Sequence, residues 1–132
     1  MRLSRVEIYK ALGGVHDPAL LQRAFDYALS GKVDLRETME IYETAGDDGM
    51  LAPALFAYVR DHYEALAARL QQDARGRLPR RHMTLCSAHE REALKAFYAG
   101  ERGATPGLQR NLAQALETVD ICIRTRELNA AR

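Results

Sequence analysis

Residues 12–35, LGGVHDPALLQRAFDYALSGKVDL, hold a complete helix with both ends written out. Asp17 is placed to cap the start, and Pro18 takes the first helical position, where a missing N–H costs nothing. Leu21, Ala24, Phe25, Ala28 and Leu29 follow at helical spacing on one face. Ser30 and Gly31 close the helix, with Gly31 placed for the left-handed exit conformation. Lys32, Val33 and Asp34 turn the chain, and a second helical pattern opens at Leu35. The unit is helix, short turn, helix, and it sets the expected fold class as all-α.

The same grammar extends both ways. Upstream, residues 4–12 read as a short helix with Val6, Ile8, Tyr9 and Leu12 on its apolar side, ended by Gly13 and Gly14. Downstream, residues 35–45 form a third helix, with Leu35, Met39, Tyr42 and Ala45 in line and Gly46 as its end. Asp47 or Asp48 is then placed to cap the next. The longest early helix is expected from Met50 to Gln72, with Leu51, Leu55, Val59, His62 or Tyr63, Leu66 and Leu70 recurring and Pro53 tolerated in the first turn.

From Asp73 to Leu85 the pattern breaks at Gly76 and Pro79, leaving room for one short helix after Pro79. Ser87 and Glu90 then form a capping-box signature, in which each side chain satisfies a backbone N–H of the other residue. The helix they open, residues 88–99, turns Ala93, Leu94, Phe97 and Tyr98 inward. Residues 100–104 read as a loop, and Thr105-Pro106 repeats the cap-then-proline signal. A last helix to about residue 129 carries Leu108, Leu112, Leu116, Val119 and Ile123. No segment alternates as a strand would. Short antiparallel pairs with wide apolar stripes predict stacking into a HEAT- or armadillo-like superhelix over residues 1–132 as one helical-repeat domain. A closed helical bundle is the alternative.

The composition is that of an ordinary globular domain: 47% apolar and 28% charged over 132 residues, enough to bury roughly two-thirds of the unfolded chain's surface. The net charge of +1 supplies no basic field, so no nucleic-acid partner is expected. No stretch has the length of a signal-peptide core or a membrane span, so no membrane partner is expected either. Two cysteines are too few for a disulfide framework. They point to a reducing compartment, and a chain complete as it stands is expected to be cytoplasmic.

Few residues offer chemistry. His89-Glu90 begins like the HExxH zinc signature, but Ala93 stands where the second histidine is required. His82, Cys86 and His89 would share a face only on one continuous helix, and the Ser87 cap argues that a helix starts between them. Cys86 as a nucleophile lacks an orienting third group, and Cys122 reads as core packing. Four arginines, Arg75, Arg77, Arg80 and Arg81, crowd one short segment, either as a solvated loop or as a contact for a carboxylate or a neighbouring domain. The tyrosines Tyr9, Tyr27, Tyr42, Tyr58, Tyr63 and Tyr98 all lie at or near helical stripes, mostly as core or rim.

Three stretches together resemble the C-terminal helical domain of zinc-dependent aminopeptidases of the puromycin-sensitive, endoplasmic-reticulum and alanyl type. ALGGVHDPALLQRAFDYALSGKVDLRE, residues 11–37, looks like that domain's repeated unit. FAYVRDHYEALAARL, residues 56–70, is similar to a helix that in the family typically reads F-x-x-x-x-N-W-x-x-L, with His62-Tyr63 in place of Asn-Trp. CSAHEREALKAFYAGERGATPGLQRNLAQALETVDICIRTRELN, residues 86–129, is similar to the family's closing helix pair. The resemblance implies a superhelical bowl closing over a catalytic domain in which zinc, held by HExxH and a later Glu, removes N-terminal residues from peptides. None of those zinc ligands, nor the catalytic Glu, has a matching position here, so no catalytic or metal residue and no cofactor is expected in this chain. The implied partners are the catalytic domain of the same aminopeptidase and the peptide substrate. Arg75, Arg77, Arg80 and Arg81 are the candidate substrate contacts. Val6, Ile8 and Tyr9 are the candidates for an apolar patch that packs on preceding helices. The competing reading is a free-standing helical-repeat adaptor.

Overall fold

The structure, a computed structural model, describes residues 3–132. Every regular element among them is helical, and backbone contacts group the chain into two compact units, Met1–Leu70 and Gln71–Arg132.

The first unit holds α1 (Arg5–Gly13), α2 (Pro18–Leu29), α3 (Leu35–Asp47) and α4 (Ala52–Arg69). Ser4 and Glu7 make a complete capping box at α1. Asp17 caps α2 by accepting from the Leu20 N–H at 3.0 Å, and Gly31 leaves the helix at φ +84°, both as expected. α3 is the hub, packed on α1, α2 and α4 and burying Leu35, Thr38, Ile41, Tyr42, Ala45 and Gly46. Its approach to α1 is so close that a Cβ on Gly13 would collide with the Ile41 carbonyl.

Hydrogen bonds to backbone lock α3 onto α2. Thr38 Oγ1 donates to the Ala28 carbonyl at 3.1 Å, and the Tyr42 hydroxyl donates to that of Phe25 at 2.9 Å. Arg69 Nη1 donates to the Leu29 carbonyl from the end of α4. Ala28 and Leu29 lie in the last turn of α2, where carbonyls lack intrahelical partners, so tertiary contacts close that end. Phe25, Tyr42 and Tyr58 form an aromatic cluster with ring centroids 5.0–6.0 Å apart. Burial pushes the Tyr42 and Tyr58 hydroxyls well above the usual phenol range.

Two helices of this unit differ from expectation. α3 runs through Gly46, and the chain turns at Asp48, whose carboxylate accepts from the Met50 N–H at 2.9 Å. α4 is shorter than Met50–Gln72, because Leu70 is already extended at ψ 145°. α4 also kinks at His62 (φ −121°, ψ 19°), where the ring Nδ1 meets the Tyr58 carbonyl at 3.0 Å.

The second unit holds α5 (Gln72–Arg77), a 3₁₀ segment (Leu78–His82), α6 (Ala88–Phe97), a second 3₁₀ segment (Gly100–Ala104) and α7 (Leu108–Ala130). The segment broken by Gly76 and Pro79 is thus helical on both sides of the break, and the expected 100–104 loop is a 3₁₀ turn. Ser87 caps α6 by accepting from the Glu90 N–H at 3.1 Å, and its hydroxyl donates to the Glu90 carboxylate at 2.9 Å. Thr105-Pro106 does not repeat the Asp17-Pro18 arrangement: Gly107, left-handed at φ +81°, is the N-cap of α7, and no side chain caps it.

Asn111 Nδ2 donates to the Gly76 and Gly107 carbonyls, both at 3.0 Å, tying α7 to α5. Gln109 Nε2 donates to the Tyr98 and Gly103 carbonyls at 3.2 and 3.3 Å. The core side of α7 is Leu108, Asn111, Leu112, Ala115 and Val119, while Leu116 and Ile123 are only half-buried. Cys86 and Cys122 form a disulfide with Cα atoms 5.4 Å apart. That corrects two expectations: Cys122 is not simple core packing, and the pair no longer points to a reducing compartment.

Candidate functional site

Two hollows, one in each unit, carry some of the residues singled out in the sequence. In the first unit, α1 and α2 enclose an apolar hollow of about 440 Å3 lined by Ile8, Tyr9, Leu12, Leu20, Ala24 and Tyr27, with Arg23 and Val15 completing it. The amphipathic spacing of α1 puts Tyr9 on the core side, 7% exposed, and leaves Val6 and Ile8 outward at 51% and 42%. Leu20 and Tyr27 on α2 are also exposed. The expected patch therefore centres on Val6 and Ile8, with Tyr9 as part of the hollow's wall. Leu20 and Tyr27 extend it, and the sequence reading missed them. The signal was present: they stand seven apart, two turns along α2, on a face other than that of Phe25.

In the second unit, a polar hollow of about 300 Å3 lies where α5, the first 3₁₀ segment and the start of α7 meet. Arg77, Arg80 and Arg110 line it, together with Asp73, Asn111, Gln114 and the glycines Gly76 and Gly107. Asp73 pairs with Arg77 at 3.3 Å, one helical turn away. Three arginines and one aspartate thus line the hollow, a positive excess suited to an anionic group. Of the four crowded arginines the structure brings Arg77 and Arg80 to this hollow. Arg75 and Arg81 do not line it and are half-buried. Arg110 was not foreseen, because more than thirty residues separate it from Arg77 in sequence and only the fold joins them.

The histidine candidates do not converge. His82 is fully buried and lies 6.5 Å from Tyr98 between ring centroids, His89 is exposed, and Cys86 is in the disulfide. Among the described residues no group of three His, Cys, Asp or Glu side chains is placed to hold a metal ion. No helix among the described residues is long and apolar enough to cross a membrane.

Comparison with known families matches residues 3–121 to the ERAP1-like C-terminal domain. The match spans nearly the whole chain, and the chain belongs to this family of aminopeptidase C-terminal domains. No curated protein and no solved structure matches it.

Proposed function

We propose that this chain is the non-catalytic C-terminal part of a zinc-dependent aminopeptidase, where it shapes the substrate cavity, limits access and contacts the distal end of the peptide. The family match over residues 3–121 carries the reading. The HEAT-like superhelix belongs to the same reading, as the wall such repeats would build around a cavity. Val6, Ile8, Leu20 and Tyr27 supply apolar surface suited to packing against the preceding part of the enzyme. Arg77, Arg80 and Arg110 supply charge suited to a peptide's carboxylate. Zinc would be held by the catalytic part, and this chain alone would hydrolyse nothing.

The test is the reading frame upstream of Met1. A continuous frame holding HExxH and a later Glu is the expected result, and peptidase activity should then require that part. A genuine start at Met1 with no such frame nearby would sink the reading in favour of a free-standing peptide-binding adaptor. A cytoplasmic location belongs to the same proposal, but there the Cys86–Cys122 bond would have to persist against a reducing thiol pool.

A further inference from the structure

α7 changes character after Val119. Leu108, Leu112, Ala115 and Val119 are buried at helical spacing; beyond Val119 no residue of the helix is fully buried, and Ile121 and Leu128 are each 61% exposed. The helix nevertheless continues to Ala130. Three links tie this stretch to the start of α6. Cys122 is bonded to Cys86, and Asp120 accepts from Arg91 at 2.6 and 3.3 Å. Arg126 Nη1 donates to the Cys86 carbonyl at 3.3 Å. The Arg91–Asp120 pair is partly exposed, and pairs of that kind add little. The covalent bond therefore stands where apolar packing thins.

We propose that the Cys86–Cys122 bond is a redox clamp on α7. In the disulfide form residues 120–130 are held as helix against the start of α6. In the dithiol form that stretch opens, while the part from Leu108 to Val119 stays folded on its buried side chains. Switching needs an external dithiol. Its thiolate attacks the sulfur of Cys122, the more open of the two cysteines, and Cys86 leaves as thiolate. The donor's second thiol then resolves the mixed disulfide. The donor ends as a disulfide and the protein as two thiols, with two electrons and two protons transferred. This proposal does not depend on the aminopeptidase reading.

The test is hydrogen exchange on the full chain, oxidised with glutathione disulfide and then reduced with dithiothreitol, with thiols counted after denaturation. Exchange over residues 120–130 should accelerate at least about tenfold on reduction, with residues 108–119 unchanged. A Cys86→Ser/Cys122→Ser variant should match the reduced form without any reductant. Arg91→Ala in the oxidised protein should keep its protection, because the bond alone suffices. Equal protection in both redox forms would overturn the proposal. So would loss of protection throughout α7, thiols that stay free in glutathione disulfide, or release of the stretch by Arg91→Ala alone.

Discussion

The two units hold their helices by different means. In the first, aromatic and aliphatic side chains from three helices meet around α3, and hydroxyls of Thr38 and Tyr42 reach buried backbone carbonyls of α2 within that core. In the second, amide side chains of α7 reach backbone carbonyls of short, irregular segments, and a covalent bond takes over where packing thins. The contrast follows from element length. Helices of 12 to 18 residues present enough apolar face to be fixed by burial. The six residues of α5 bury only Gly76, and Asn111 ties that segment down through its backbone.

That difference can be broken residue by residue. Phe25 is 1% exposed and central to the aromatic cluster, so Phe25→Ala should cost about 3–5 kcal/mol, read as a lower denaturation midpoint by circular dichroism. Asn111→Ala should cost about 1–3 kcal/mol, because it leaves the Gly76 and Gly107 carbonyls without this donor. Hydrogen exchange should place that loss in α5 and the start of α7. If Asn111→Ala leaves α5 as protected as before, the backbone-tether account of the second unit is wrong. Tyr42→Phe removes one hydroxyl and keeps the ring, so about 1 kcal/mol is expected, smaller than the Phe25 loss. An equal or larger loss would mean that polar tethers dominate the first unit too.

The smallest effect is electrostatic. The Met50 N–H, and after it His16 at 2.8 Å, hold the partly exposed Asp48 carboxyl below its ordinary value of 3.8. A depressed carboxylate stabilises the fold above its unfolded pKa and loses that contribution as pH falls through the folded one. Asp48→Asn should therefore lower the melting temperature slightly at pH 7 and make no difference well below pH 3.8. A gap between the two proteins that widens on acidification would contradict the sign.

Local signals were legible at several helix ends, where a residue acts on its own neighbours. Asp17, Gly31 and Ser87 do what their positions in the sequence predict, because capping and left-handed exits are decided within four residues. Gly46 misled because a buried glycine inside α3 looks the same in sequence as one that ends it. Thr105 misled because Gly107 competes for the same helix start with a left-handed turn. The kink at His62 involves a ring bonded to its own helix's carbonyl, which periodicity does not register. The disulfide and the meeting of Arg110 with Arg77 and Arg80 were illegible for one reason: each joins positions about thirty or more residues apart, and only the tertiary fold brings them together.

The central claim, a non-catalytic domain that contacts the far end of a peptide, is tested most directly by a titration. The full chain is titrated with a peptide bearing a free C-terminal carboxylate, and then with its amidated counterpart, while side-chain signals of the arginines are followed by NMR. The account predicts shifts at Arg80 and Arg110 with the free carboxylate, their loss on amidation, and an uncleaved peptide in both cases. Cleavage by this chain alone, or binding that ignores the carboxylate and leaves those arginines unmoved, would contradict it.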